Sequence, residues 1–184
     1  MKSKTMNRGR QEVTERVTQK DLTEAPEEAP KIPPPRLELQ KILVPIDFSE
    51  CSFNALGLAL GFAEHFHAQV VLLHVVEPTM YPENHAGLSA AFDQANQSLV
   101  TAAREQLEGL ARKHFTSIPV EALVRIGHAH SEITDTANAL GSNLIIISTH
   151  GYTGLKHVLL GSTAEKVIRN SHCPVLTVRR PVRA

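Results

Sequence analysis

The sequence predicts an α/β fold built on an open, mostly parallel sheet, and three observations predict it. Short runs rich in Val, Ile and Leu recur at 41–47, 69–76, 120–126, 143–148 and 175–178. Segments with apolar residues at helical spacing separate them, and strands that alternate with helices imply right-handed crossovers between parallel neighbours. Several of the runs are continuous rather than alternating, which is the pattern of strands covered on both faces.

Taken in order, residues 1–38 contain no aromatic residue, mix opposite charges and finish near Pro33-Pro34-Pro35. Such a segment has too little apolar surface to offset chain entropy, and the prolines favour extended chain without backbone donors. It is expected to be a disordered or loosely docked arm, with a short helix near residues 11–21 as the alternative. Residues 39–184 then form one domain of about 145 residues, long enough for a substantial core.

The first strand is Lys41-Ile42-Leu43-Val44-Pro45-Ile46-Asp47. Pro45 donates no ladder hydrogen bond and belongs where the strand ends or bulges. Ser49 is a candidate cap for a helix over 50–66, in which Phe53, Leu56, Leu60 and Ala63 share a face. Gln69 to Val76 is the second strand. After it comes a loop at 78–91, whose Tyr81 and His85 can reach over a ligand as a lid. A helix over 92–115 carries Leu99, Ala102, Ala103, Leu107, Leu110 and Ala111 in one stripe. The third strand, 120–126, leads through Gly127 to a helix over 130–140. The fourth strand is 143–148, the last helix 163–170 and the fifth strand 175–178.

Composition narrows the function. Nineteen Lys plus Arg balance nineteen Asp plus Glu, so nucleic acid finds no electrostatic footprint. Two cysteines, Cys51 and Cys173, stand in no metal-ligand spacing and read as thiols of a reduced compartment. No apolar stretch approaches the roughly 18 residues of a membrane span, and the N-terminus lacks the apolar block of a signal peptide. A soluble cytoplasmic protein without membrane or nucleic-acid partners is the expectation.

In a parallel sheet, ligands bind at the carboxyl ends of the strands, where strand order reverses. Three segments end there: Pro45-Ile46-Asp47, Arg125-Ile126-Gly127-His128 and Ser148-Thr149-His150-Gly151. Gly151, Gly154 and Gly161 allow backbone to approach a polyphosphate with no Cβ in the way. Ser162 has two compatible roles. It can cap the last helix, with Glu165 completing a capping box, and with Thr163 it can face a phosphate. Asp47 either accepts from a ribose hydroxyl or an adenine amine, or caps the helix that follows it. An ordinary well-capped unit without ligand is the plainer reading of all these features.

His128, His130 and His150 can converge at this edge, but their spacing is not a compact zinc motif, and hydrogen bonds to phosphate or water explain them equally. His74, inside an apolar strand, reads as a core histidine with both nitrogens satisfied. The chain contains no Gly-x-x-x-x-Gly-Lys-Ser/Thr, no Gly-x-Gly-x-x-Gly after the first strand and no Gly-x-Ser-x-Gly. No catalytic residue or metal ligand is assigned.

The segments Lys41-Ile42-Leu43-Val44-Pro45-Ile46-Asp47-Phe48-Ser49-Glu50, Leu72-Leu73-His74-Val75-Val76, 146–167 and Ser171-His172-Cys173-Pro174-Val175-Leu176-Thr177-Val178 closely resemble the universal stress protein family, over roughly residues 39–180. The resemblance implies a five-stranded parallel sheet of order 3-2-1-4-5, with helices on both faces, and dimerisation. The ATP-binding branch carries Gly, two residues, Gly, nine residues, then Gly and Ser or Thr. Gly151, Gly161 and Ser162 match that pattern, and Ser148 replaces the first glycine.

By resemblance, Asp47 contacts the adenosine, Val75 flanks the adenine, and Gly127 lies against the ribose or first phosphate. Gly151, Gly161, Ser162 and Thr163 hold the phosphates of ATP, whose charge Mg²⁺ can shield. Pro45, Ser148 and His150 complete the candidate set. The short apolar edge at 175–178 invites pairing, so a homodimer through the fifth strand is expected. The implied function is ATP binding that acts through occupancy and a further protein partner, the bound nucleotide ordering residues 148–163. The alternatives are a slow ATP hydrolase or phosphotransferase using Asp47 or His150, and a nucleotide-independent interaction module.

Overall fold

Leu43 and Val44 are both fully buried, as are Val71 and Leu72, and Ile145 and Ile146. Side chains at successive strand positions point to opposite faces, so both faces of this sheet are covered. The computed structural model describes residues 38–78, 89–149 and 160–179. The N-terminal arm, the proposed lid at Tyr81 and His85, and residues 150–159 lie outside the described residues.

The strands are β1 (Lys41–Pro45), β2 (Gln69–Val76), β3 (Val120–Ile126), β4 (Leu144–Ser148) and β5 (Val175–Val178). The helices are α1 (Glu50–Phe66), α2 (Ser89–His114), α3 (Ala129–Ala139) and α4 (Ser162–Asn170). All pairings are parallel, and the strand order is β3-β2-β1-β4-β5. This is the order that the family resemblance implies.

The register divides the core in two. Ile42, Val44, Val70, Leu72 and Ile146 pack on one face with Ala55, Leu56, Ala59 and Ala63 of α1, Leu107 and Ala111 of α2, and Phe115 just beyond it. Leu43, Val71, Leu73, Ile145 and Ile147 pack on the other with Ile133 and Ala137 of α3 and Ala164 and Val167 of α4. Small residues on α1 let that helix lie close to the strands, and Ala55, Ala59 and Ala63 are inaccessible to solvent. Deleting a buried leucine such as Leu72 removes about 2–5 kcal/mol.

α1, β2, β3 and β5 keep the sequence-based ranges, and the other elements differ from theirs by one to three residues at an end. β1 stops at Pro45, which has no N–H to donate, and Ile46 and Asp47 continue outside the strand, the Ile46 amide still reaching Leu73 O at 2.8 Å. Asn143 does not extend β4. Its Oδ1 accepts from the amides of Gln40 and Lys41, both at 2.9 Å, and so sets β1 beside β4. α1 begins as expected, with Ser49 as N-cap accepting from the Ser52 amide. Among the described residues, no helix is long and apolar enough to cross a membrane.

Candidate functional site

Because β1 and β4 are neighbours in the middle of the sheet, while β2 leaves β1 on the other side, strand order reverses between them. That is where a parallel sheet opens a crevice beyond its carboxyl ends. A cavity of about 200 Å³ opens there. Its polar rim is Asp47, Ser148, Thr149, Ser162 and Thr163, and its apolar walls include Val75, Ile133 and Ile147.

The β1–α1 turn builds one side. Asp47 Oδ1 accepts from the Ser49 amide at 3.0 Å and from Ser49 Oγ at 2.6 Å. Asp47 is therefore not the N-cap itself, as one sequence reading had it; it supports Ser49, which caps. Phe48 sits in the left-handed region at φ 62, a conformation costing a non-glycine residue about 1–3 kcal/mol unless its surroundings hold it. The turn touches β2 through the Phe48 ring, 4.7 Å from that of His74, and the Ile46 amide, 2.8 Å from Leu73 O.

Thr149, which the sequence reading did not single out, joins β4 to α4. It is 2% exposed. Its amide donates to Val178 O at 2.9 Å, and its carbonyl accepts from the Gly161 amide at 2.7 Å. A Cβ on residue 161 would stand 2.9 Å from that carbonyl oxygen, so glycine is required there for close backbone approach rather than for a positive φ.

This contact corrects two expectations. The Gly161 amide is already engaged by Thr149 and offers no donor to a phosphate. The N-cap of α4 is Gly161, not Ser162, and it has no side-chain cap bond. The capping box is therefore not formed, and Glu165 pairs instead with Arg169 at 2.9 Å. Ser162 and Thr163 are in the first turn, and among the described residues the amides of Ser162, Thr163 and Ala164 have no hydrogen-bond partner. An uncapped helix start of this kind offers free donors and a positive dipole end to an anion.

Of the sequence-predicted residues, Pro45, Asp47, Val75, Ser148, Gly161, Ser162 and Thr163 line this cavity together. His150 and Gly151 lie outside the described residues. Gly127 is absent from the described lining, and its neighbour Ala129 takes part instead. Gly127 has φ 156, and a Cβ there would meet Glu132 Cγ at 2.9 Å. α3 then starts without a side-chain cap from His128, and Glu77 Oε1 reaches across from the end of β2 to accept from the Ala129 amide at 3.2 Å.

The His128 and His130 rings lie 6.3 Å apart. Among the described residues, no three His, Cys, Asp or Glu side chains are grouped as a metal site needs. His74 differs from its sequence reading. It is half-buried and lines the cavity, with Nδ1 2.7 Å from Ile46 O. No Lys or Arg is among the described lining residues, so the groups available to an anion there are backbone amides and hydroxyls.

Comparison with known proteins agrees with this architecture. The sequence model of the universal stress protein family matches residues 38–179. Universal stress protein MJ0531 of Methanocaldococcus jannaschii is 35% identical over 147 residues, covering 77% of this chain and 83% of the relative. The structure of MJ0577, a universal stress protein from the same organism, superimposes with a TM-score of 0.71 at 31% identity, covering 80% of this chain and all of that one. An Arabidopsis thaliana family member with AMP bound shares the fold at 17% identity and a TM-score of 0.53, covering 78% of this chain and 93% of its own.

Proposed function

This chain belongs to the universal stress protein family, and from that membership we propose that it binds ATP in the cavity at the carboxyl ends of β1, β2 and β4. The observation that carries the reading is the start of α4, whose first amides have no hydrogen-bond partner among the described residues, opening onto the same cavity as Asp47 and Val75. Val75 flanks the adenine. Asp47 accepts from the ribose or from the adenine amine. The amides and hydroxyls of Ser162 and Thr163 take the phosphates, with Ser148 beside them and His150 and Gly151 completing the set. Mg²⁺ shields the phosphate charge, because the described lining supplies no cation.

Binding rather than turnover is the function. Asp47 Oδ1 is engaged by Ser49 through two hydrogen bonds, which fix the carboxylate in place and suit orientation of a ligand better than proton abstraction. The protein works in the cytoplasm as a homodimer through β5, and nucleotide occupancy changes the surface offered to a protein partner.

Calorimetric titration of the purified full chain with ATP and Mg²⁺ tests this. One ATP per chain is expected. At a free concentration of 100 times Kd, the ligand should raise unfolding stability by about 2.7 kcal/mol. Folded protein that shows neither heat of binding nor stabilisation at millimolar ATP would overturn the proposal in favour of a nucleotide-independent interaction module.

A further inference from the structure

Histidine is an unexpected residue in β2. Val70 to Leu73 are fully inaccessible and Val76 is nearly so, and a leucine at 74 would extend that core without a polar atom to satisfy. What the imidazole supplies and a leucine lacks is a donor. The Ile46 carbonyl lies just past the end of β1, beyond the last register pair, Pro45 with Leu73. Its hydrogen-bond partner among the described residues is His74 Nδ1, at 2.7 Å. A carbonyl oxygen only accepts, so the proton is on Nδ1.

The same ring supports a second group. Its centroid lies 4.7 Å from that of Phe48, the residue held at φ 62. The Ile46 amide is taken by Leu73 O at 2.8 Å. Both polar backbone atoms of Ile46 and the side chain of Phe48 are therefore tied to two consecutive residues of β2. Asp47 is the residue between them.

We infer that His74 is a positioning residue for the ligand site: its Nδ1–H anchors the Ile46 carbonyl and its ring props Phe48 in the left-handed turn, so that Asp47 is held in one orientation at the cavity. The inference rests on the ATP reading for its effect on affinity, while its structural half stands without any ligand.

Three replacements in the full chain separate the parts of the ring. His74→Asn places an amide nitrogen near the position of Nδ1, His74→Gln places one near Nε2, and His74→Phe keeps an aromatic ring against Phe48 without a donor. Titration with ATP and Mg²⁺ is expected to give binding about tenfold weaker for His74→Phe and His74→Gln, and within about threefold of the original for His74→Asn. Amide hydrogen exchange at Ser49 and Ser52 should be faster in the Phe and Gln variants, and little changed in the Asn variant. Nitrogen NMR of the unsubstituted protein should show His74 protonated on Nδ1 in its neutral form.

Affinity retained in His74→Phe, rescue by Gln rather than Asn, or a proton on Nε2 would overturn the inference. Should no protein bind ATP, the nucleotide proposal fails by itself. The exchange rates and the tautomer still decide the role of His74, and equal exchange in all four proteins refutes it.

Discussion

Ser148 and Gly161 show how single atoms set the space at the end of β4. Ser148 replaces the first glycine of the family's ATP-binding pattern, and it lines the cavity without closing it, since about 200 Å³ remains open. Its side chain narrows the region assigned to the phosphates, so Ser148→Gly is expected to tighten ATP binding by about threefold to tenfold. Parallel calorimetric titrations check this, and an unchanged or weaker affinity would show that the side chain is no obstacle. Gly161 is under a different constraint. The methyl of Gly161→Ala would press on Thr149 O at 2.9 Å, a backbone atom that cannot swing away. Overpacking of this kind costs about 1–3 kcal/mol, to be read as a lower midpoint in urea unfolding. Both glycine positions of the motif look alike in sequence. Only the Thr149 contact shows that Gly161 joins strand to helix rather than donating its amide to a ligand.

Two serines at helix starts separate by function when elements are compared. Ser49 caps α1, and through Asp47 it also belongs to the candidate site. Ser49→Ala is expected to cost about 1 kcal/mol of stability and to weaken ATP binding together, because Asp47 loses the hydroxyl that holds it. Ser162 looks like a cap in sequence, with Glu165 three residues later, but it is the first helical residue of α4 and makes no cap bond. Ser162→Ala should therefore leave the unfolding midpoint nearly unchanged and weaken ATP binding. Denaturation and titration of both variants check the contrast, and a stability loss in Ser162→Ala equal to that of Ser49→Ala would contradict it. The displacement of the cap has a physical origin. Thr149 O draws the Gly161 amide into a 2.7 Å bond, which holds Gly161 extended at φ -67 and ψ 147 and starts the helix one residue on.

For the whole molecule, β5 is the element whose exposure carries a prediction. Among the described residues it pairs only with β4, and Val175 to Val178 are all half-buried. Pro174 O accepts from Ile145 of β4 and Val178 O from Thr149 just past it, so by the alternation of a strand the N–H groups of Val175 and Thr177 point away from β4. The proposed homodimer would use them. Sedimentation should show a dimer for the unsubstituted chain, and Thr177→Pro, which removes an edge donor and spares the pairing with β4, should shift it toward monomer while circular dichroism stays the same. Persistence of the dimer would place the seam elsewhere. The strands, the helices and their two-faced burial were legible from the chain alone, because continuous Val, Ile and Leu runs admit few other arrangements and crossovers have one hand. Asp47, Ser148 and Ser162, named as candidates from their places at or just beyond element ends, and Val75, implied by the family resemblance, all line the cavity at that edge. Thr149 and the role of His74 were not legible, since a threonine after a strand and a histidine within one carry no periodic signal. The amino-acid order thus determined which segments are strands and helices and which edge holds the cavity. The tertiary structure decided that the Gly161 amide is taken by Thr149 while those of Ser162 and Thr163 have no partner among the described residues, because a donor's availability depends on contacts between residues far apart in the chain.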